Sequence, residues 1–315
     1  MYQFARSRRL HRQLGPSEKF IGDLFFKLYL TVPSFFTVSR GDVRPGDKTM
    51  SEVGSEISVR LKLARRIARE AGQLTLRYFC KPNLTVHQKK DRTPITAADQ
   101  EAEQLLRQQI TEAFPHDGIL GEEFGEKAGQ SPFCWFLDPI DGTKSFISGV
   151  PLYGTMVAVM HHDEAELGVI EFPALGESIH AVRGGGAWHV VGRNAPVQAR
   201  VSTVASLSDG LFCTTQLSSF DATGRSDIFS QLQRQARLTR TWGDCYGYLL
   251  VATGRAELMV DPVLNTWDTA ALMPIIEEAG GTLTDFKGCR TVLGGEAVAT
   301  NGHILEETLV VTANG

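Results

Sequence analysis

Apolar and polar positions along this chain switch between a helical and a strand period, and the switches mark its elements. Ile57, Leu61, Ala64, Ala68, Ala71, Leu74 and Tyr78 recur at helical spacing, with Arg65, Arg66, Arg69 and Glu70 on the other side, which predicts an amphipathic scaffold helix. A strand is expected over 84–88, after which a second helix opens at Thr96. Thr96 is its N-cap and Asp99, three residues on, holds the place of the acid in a capping box. The pattern continues through Ala102, Leu105, Leu106, Gln109 and Ile110 and stops before Pro115. Short apolar runs then predict strands over 133–137, 154–160, 167–172 and 178–182, the last leading through Gly184, Gly185 and Gly186 into 187–191. The glycine triplet lacks both a following helix and the Lys-Ser/Thr of a phosphate loop, so a hairpin turn is expected there.

The second half reads as a strand over 211–215, helices over 227–235 and around 246–253, and a strand over 256–260 that ends on Asp261 and Pro262. Asn265, Thr266, Trp267 and Asp268 open another helix, with Thr266 as the expected cap and Asp268 in the first turn. Pro274 should kink or break that helix, because it removes a backbone donor. Strands over 282–285 and 297–300 and a short helix over 304–309 complete the pattern.

Residues 1–50 differ from the rest. Arg6, Arg8, Arg9 and Arg12 precede the first acid, Glu18. The apolar stretch from Phe20 to Val38 is interrupted by Asp23 and Lys27 and broken by Pro33, short of the roughly 20 uninterrupted apolar residues a membrane span needs. The segment reads as a disordered extension, a targeting peptide or a start assigned too early, since Met50 stands just before the first patterned helix. Residues 51–195 and 196–315 are expected to form an N-terminal α+β lobe and a C-terminal α/β lobe.

At 315 residues and 42% hydrophobic content the chain can bury a large core. A net charge of −4 without long runs of one sign over the main body calls for neither a nucleic-acid nor a membrane partner. Cys80, Cys134, Cys213, Cys245 and Cys289 are odd in number and scattered, so neither a zinc site nor a disulfide framework is indicated, and a cytoplasmic setting is expected.

Chemistry enters at the end of the 133–137 strand, where the chain reads Asp138-Pro139-Ile140-Asp141-Gly142-Thr143. Asp138 and Asp141 are hard oxygen ligands stiffened by Pro139, a pair that suits Mg2+ better than a softer metal. The Gly142 and Thr143 amides, at a turn or helix start, are positioned to meet an anion. Taken alone, the segment reads rather as a solvated Asp-Gly turn. Glu122 and Glu123 are unremarkable as loop acids, and Asp99 has two readings, cap or ligand-shell acid, of which the local sequence favours capping.

The ordered set changes that balance. Thr96-x-x-Asp99, Gly121-Glu122-Glu123, Asp138-Pro139-Ile140-Asp141-Gly142-Thr143 and Trp267-Asp268-Thr269-Ala270-Ala271 resemble the inositol monophosphatase-like family of Mg2+-dependent phosphomonoesterases, from about residue 55 to the end. The resemblance implies a layered α/β/α/β/α sandwich, a homodimer, and two or three Mg2+ ions. By matching position, Glu122, Asp138 and the Ile140 carbonyl would hold the first ion. Asp138 would bridge to a second, also held by Asp141 and Asp268, and Glu122 and Asp99 would reach a third. Thr143 would stand beside the attacking water, hydrogen-bonded toward Asp99, so Thr143, Asp99 and Glu122 are the expected catalytic residues. The phosphate of a small ester would rest on the Gly142 and Thr143 amides.

The physical chemistry agrees with the resemblance: carboxylates converging on one cleft repel unless cations or protons intervene. Specificity must come from elsewhere, and Trp242-Gly243-Asp244-Cys245-Tyr246-Gly247-Tyr248 looks like the histidinol-phosphatase branch. Asp244 and Asp261 could pair with a cationic substrate. Asp244 has a second reading as a helix cap, and Trp242 and Tyr246 are read as packing residues. The alternatives are a phosphatase for inositol, sugar or nucleotide 3'-phosphates, and a Mg2+-binding interaction protein without catalysis.

Overall fold

The structure is a computed structural model that describes residues 50–82, 84–89 and 93–313. The expectations for the N-terminal extension lie outside the described residues. Among the described residues no helix is long and apolar enough to cross a membrane.

Helix α1 (Met50–Thr75) leads to the two-stranded ribbon β1 (Val86–Gln88) and β2 (Pro94–Thr96), then α2 (Ala97–Ala113). A large sheet follows, made of β3 (Gly118–Gly121), β4 (Gly125–Lys127), β5 (Phe133–Asp141), β6 (Gly154–His161), β7 (Glu164–Phe172), β8 (Glu177–Val182), β9 (Gly186–Val191) and β10 (Val197–Gln198). The short helix α3 (Thr143–Ile147) leaves the end of β5. The strand order is β10-β9-β8-β7-β6-β5-β3-β4, and the glycine triplet is the β8–β9 hairpin turn as expected. The remainder comprises β11 (Leu211–Cys213), α4 (Leu217–Ala222), α5 (Ser226–Gln235), β12 (Leu238–Arg240), α6 (Asp244–Ala252), β13 (Leu258–Asp261), α7 (Thr266–Glu278), β14 (Thr282–Thr284), β15 (Ala297–Thr300) and α8 (Leu305–Thr312). Its five strands form a second sheet in the order β12-β11-β13-β15-β14.

Side chains alternate across each strand, and the alternation builds the layers. On β5 and β6, Trp135, Leu137, Val157 and Val159 pack with Ile67, Ala71, Leu106 and Ile110 of α1 and α2. Phe136, Met156, Ala158 and Met160 turn to the opposite face and meet Tyr248 of α6 and Ala270, Ala271 and Ile275 of α7, together with Cys213 and Met259 of the small sheet. Phe212, Leu258, Val260 and Val298 point the other way, against Phe220 of α4, Phe229 of α5 and Val311 of α8. The sequence of layers is therefore helix, sheet, helix, sheet, helix, the expected α/β sandwich. Each half of the chain supplies one sheet, with β10 just past residue 195 still in the large one, and a single middle core joins them.

Two expectations are corrected. The strand anticipated over 133–137 runs on to Asp141, with a register shift against β6: Asp138 lies opposite Met156 and Asp141 opposite Gly154. Three steps on β5 against two on β6 is a bulge, centred on Pro139, which has no amide to give the ladder. Its carbonyl is taken instead by the Thr155 hydroxyl at 2.8 Å. Of the kink or break expected at Pro274, the break is absent: α7 runs through it, its burial between two sheets outweighing the one hydrogen bond the ring removes.

The acid-bearing strand is tied to the first helix by a buried ion pair. Asp117 accepts from Arg60 Nε and Nη2, both at 2.9 Å, from Trp135 Nε1 at 2.9 Å and from the Ser131 hydroxyl at 2.6 Å. On the other face α7 lies across β5 to β9, so close at one point that a β-carbon on Gly168 of β7 would fall 2.0 Å from the Ala271 carbonyl oxygen. Gly168→Ala should therefore force α7 off the sheet and lower unfolding stability by about 1–3 kcal/mol or more, measured by urea denaturation. Wild-type stability in that variant would contradict this packing.

Candidate active site

The bulge in β5 brings two acids together. In a regular strand, residues three apart point to opposite faces; the extra residue between Asp138 and Asp141 returns them to one side. Asp268 joins them from the first turn of α7, and one oxygen from each of the three lies within 4.8 Å of the others. Asn265, not Thr266, caps that helix, so that Asp268 is the third residue and its Oδ2 accepts the Asn265 amide at 3.1 Å. Among the described residues its Oδ1 is buried with no hydrogen-bond donor. Asp138 Oδ1 accepts the Ile140 amide at 2.9 Å, and Asp141 Oδ2 accepts the Cys245 amide at the head of α6.

Glu122 reaches the same region from β3. Parallel pairing sets Gly121 beside Leu137, so the next residues, Glu122 and Asp138, emerge side by side. Buried Glu103 of α2 fixes this turn by accepting the Glu123 amide at 2.7 Å and the Phe124 amide at 3.2 Å. Glu122 stands outside the three-acid group, its Oε1 bound at 2.7 Å by Lys89, which also meets Glu123 at 2.8 Å. Burial opposes the charge on Lys89, but Glu122 and Glu123 outweigh it and hold the ammonium protonated. Sequence reasoning assigned no role to Lys89 or Glu103, since neither lies in a local pattern that points at the acids.

Asp99 is buried in the capping role that the local sequence favours. Its Oδ2 accepts the Thr96 amide at 2.7 Å and the Thr96 hydroxyl at 2.6 Å, while burial, and after it the nearby Glu122, pushes its carboxyl up. The Thr143 hydroxyl donates to the Ile140 carbonyl at 3.0 Å, not toward Asp99 as expected, because the turn at Gly142 folds residues 140 and 143 onto each other. The amides at the start of α3 have no acceptor within the helix, as at any helix head.

Asp244 opens α6 in a left-handed conformation, φ +53°. The cap position of α6 is Gly243, not Asp244. Asp244 accepts from the Ser145 hydroxyl at 3.4 Å, and a β-carbon on Gly142 would lie 3.0 Å from its Oδ2, so it borders the acid cluster. Asp261, the other expected substrate contact, is placed differently. Only 2% exposed, it accepts from the Thr215 amide at 2.8 Å, the Thr215 hydroxyl at 2.9 Å, the Tyr248 hydroxyl at 3.1 Å and the Thr214 hydroxyl at 3.2 Å. Four donors fill a carboxylate's four acceptor positions, leaving none for a substrate amine. Trp242, read as a packing residue, is 41% exposed, while Tyr246 does pack, edge-on to Phe172 at 5.6 Å.

Desolvation, then mutual repulsion, raises every acid in the cluster. Asp141 and Asp268 are pushed up to about 7, and Asp138, also pressed by Glu122, Asp268 and Asp141, is pushed well above its usual range. Convergent hard oxygens, an orphaned buried Oδ1 and carboxyls driven toward protonation together fit a divalent cation. An acid whose folded pKa is raised favours the folded state while protonated, and that contribution is lost as pH climbs from the unfolded value near 4 through the folded value. Asp141 and Asp268 place the loss between about pH 4 and 7. Chelated protein should therefore melt lower at pH 8 than at pH 5.5, by about 2–4 °C per kcal/mol lost, and a divalent cation should raise the melting temperature more at pH 8. A chelated protein that melts higher at pH 8 would contradict this.

Comparison with known proteins agrees with the site. Residues 56–314 match the inositol monophosphatase family. The histidinol-phosphatase of Chlorobaculum parvum is 45% identical over 250 residues, covering 79% of this chain and 95% of that protein. The histidinol-phosphatase of Mycobacterium tuberculosis is 38% identical, covering 79% and 96%. An inositol monophosphatase structure from Zymomonas mobilis superposes with a TM-score of 0.71 at 31% identity, covering 84% of this chain and all of its own, 100%. The chain belongs to the inositol monophosphatase family.

Proposed function

We propose that this protein is a Mg2+-dependent phosphomonoesterase that hydrolyses L-histidinol phosphate to L-histidinol and phosphate, a step of histidine biosynthesis. The observation that carries the choice of substrate is Asp244. It borders the three acids, yet stands apart from them and is turned toward Gly142 and Ser145. A further carboxylate beside a phosphate site repels the ester unless the alcohol brings a cation, and histidinol phosphate carries an amine and an imidazole. The relatives at 38–45% identity, named histidinol-phosphatases, support the same reading. Relatives named for inositol phosphate are more distant, such as the Mesorhizobium japonicum inositol-1-monophosphatase at 27%, and support the alternative, a broader inositol or sugar phosphatase, less strongly.

Asp138, Asp141 and Asp268, with Glu122, Asp99 and the Ile140 carbonyl around them, are the residues that would hold two or three ions. Bound there, such ions lower the pKa of a water and offset charge on the leaving oxygen. The rest falls to the chain. The Gly142 and Thr143 amides receive phosphoryl oxygens and orient phosphorus. The Thr143 hydroxyl, held at 3.0 Å by Ile140, is placed to orient the attacking water, and Asp99 and Glu122 to take up its proton. Lys89 balances Glu122 and Glu123. Asp244 pairs with the substrate amine and so fixes which alcohol leaves. We also infer a homodimer, as the family resemblance implies, and a cytoplasmic setting, as the scattered cysteines suggest.

A steady-state comparison of histidinol phosphate with inositol 1-phosphate in Mg2+ tests the reading. Histidinol phosphate should have the higher kcat/KM. Asp138→Asn should lose at least about 100-fold in kcat. Asp244→Asn should lower kcat/KM about 10- to 100-fold for histidinol phosphate and far less for inositol 1-phosphate. A wild-type preference for inositol 1-phosphate would overturn the substrate, and full activity in Asp138→Asn would overturn the site.

A further inference from the structure

Asp244 does not hold its position unaided. Its left-handed backbone, φ +53°, is unfavourable for a residue with a β-carbon, and it persists because both flanking peptide groups are anchored. On one side the Asp244 amide donates to the Thr215 hydroxyl oxygen at 2.9 Å, and that hydroxyl donates onward to Asp261 Oδ2 at 2.9 Å. Asp261 is itself fixed in the core by the Thr215 amide, Thr214 and Tyr248. On the other side the Cys245 amide donates to Asp141 of the acid cluster. The two backbones meet so closely that a β-carbon on Gly243 would lie 2.2 Å from the Thr215 α-carbon, which explains the glycine before Asp244. The end of β11, the head of α6 and the end of β13 thus form one hydrogen-bonded corner from which the Asp244 side chain projects toward Ser145 and Gly142.

We propose that Thr215 and Asp261 are positioning residues for substrate choice: Asp261, acting through the Thr215 hydroxyl, holds Asp244 in the backbone conformation that presents its carboxylate to the cationic part of the substrate. The proposal rests on the reading of Asp244 as the partner of the substrate amine. It gives the buried Asp261 a role in selectivity without contact with the ligand. It also explains why a threonine serves at 215, since only a hydroxyl both accepts from Asp244 and donates to Asp261.

Thr215→Val keeps the side-chain shape and the amide bond to Asp261 but loses both hydroxyl bonds, and Thr215→Ser keeps them. Each is measured alone and in the Asp244→Asn background, on histidinol phosphate and on glycerol 2-phosphate, which has no amine. Thr215→Val should raise KM for histidinol phosphate about tenfold, the effect of one such hydrogen bond, and change KM for glycerol 2-phosphate much less. Thr215→Ser should restore the preference. In the Asp244→Asn background Thr215→Val should change the ratio of the two KM values no further, because both substitutions then remove the same interaction. Assaying both esters on one preparation makes the ratio independent of the fraction of folded protein. Equal losses on both esters, or a full further change in the Asp244→Asn background, would overturn the positioning role while leaving the histidinol-phosphatase reading intact. A wild-type enzyme with no preference for histidinol phosphate would instead remove that reading, and the proposal with it.

Discussion

Three carboxylates that meet in a largely buried cleft are the constraint on which the rest of this molecule depends. Unneutralised, Asp138, Asp141 and Asp268 repel one another and drive one another toward protonation. A fold accepts that cost only where it is compensated. Here the convergence is built from several separate devices: a bulge that turns Asp141 back to the side of Asp138, a helix cap that orients Asp268, and a parallel strand that delivers Glu122. The large core on both faces of the main sheet supplies the stability against which the repulsion is set.

On the proposed reading, the site separates phosphate chemistry from the choice of alcohol. The acids and the head of α3 follow from β5 and from the first turn of α7. Asp244 comes from a different corner, where the two sheets face each other across α6. The two parts meet through the bond from the Cys245 amide to Asp141 and that from the Ser145 hydroxyl to Asp244, so the proposed selectivity residue is referenced to the acid cluster although it belongs to another element.

Much of this was legible in the sequence. Periodicity located the main helices and most strands, and the layered fold followed from the family motifs. Asp138, Asp141 and Asp268 were visible because each sits where a strand ends or a helix begins. What stayed hidden depends on contacts between distant residues. No local pattern shows that Lys89 reaches Glu122, or that Glu103 holds the turn beyond it. The setting of Asp261 was not legible because an acid at a strand end looks the same whether it faces a ligand or four donors. The extension of β5 through Pro139 was missed for a related reason: a proline signals the end of pairing, and only the partner strand reveals a bulge.

The central claim is that the buried acids share protons until a divalent cation replaces them. Titration calorimetry with Mg2+, repeated in buffers of different ionisation enthalpy, counts those protons directly. The account predicts release of about one proton or more per chain near pH 6, falling toward none by about pH 9. Binding near pH 6 without proton release, or no binding at any pH, would contradict it.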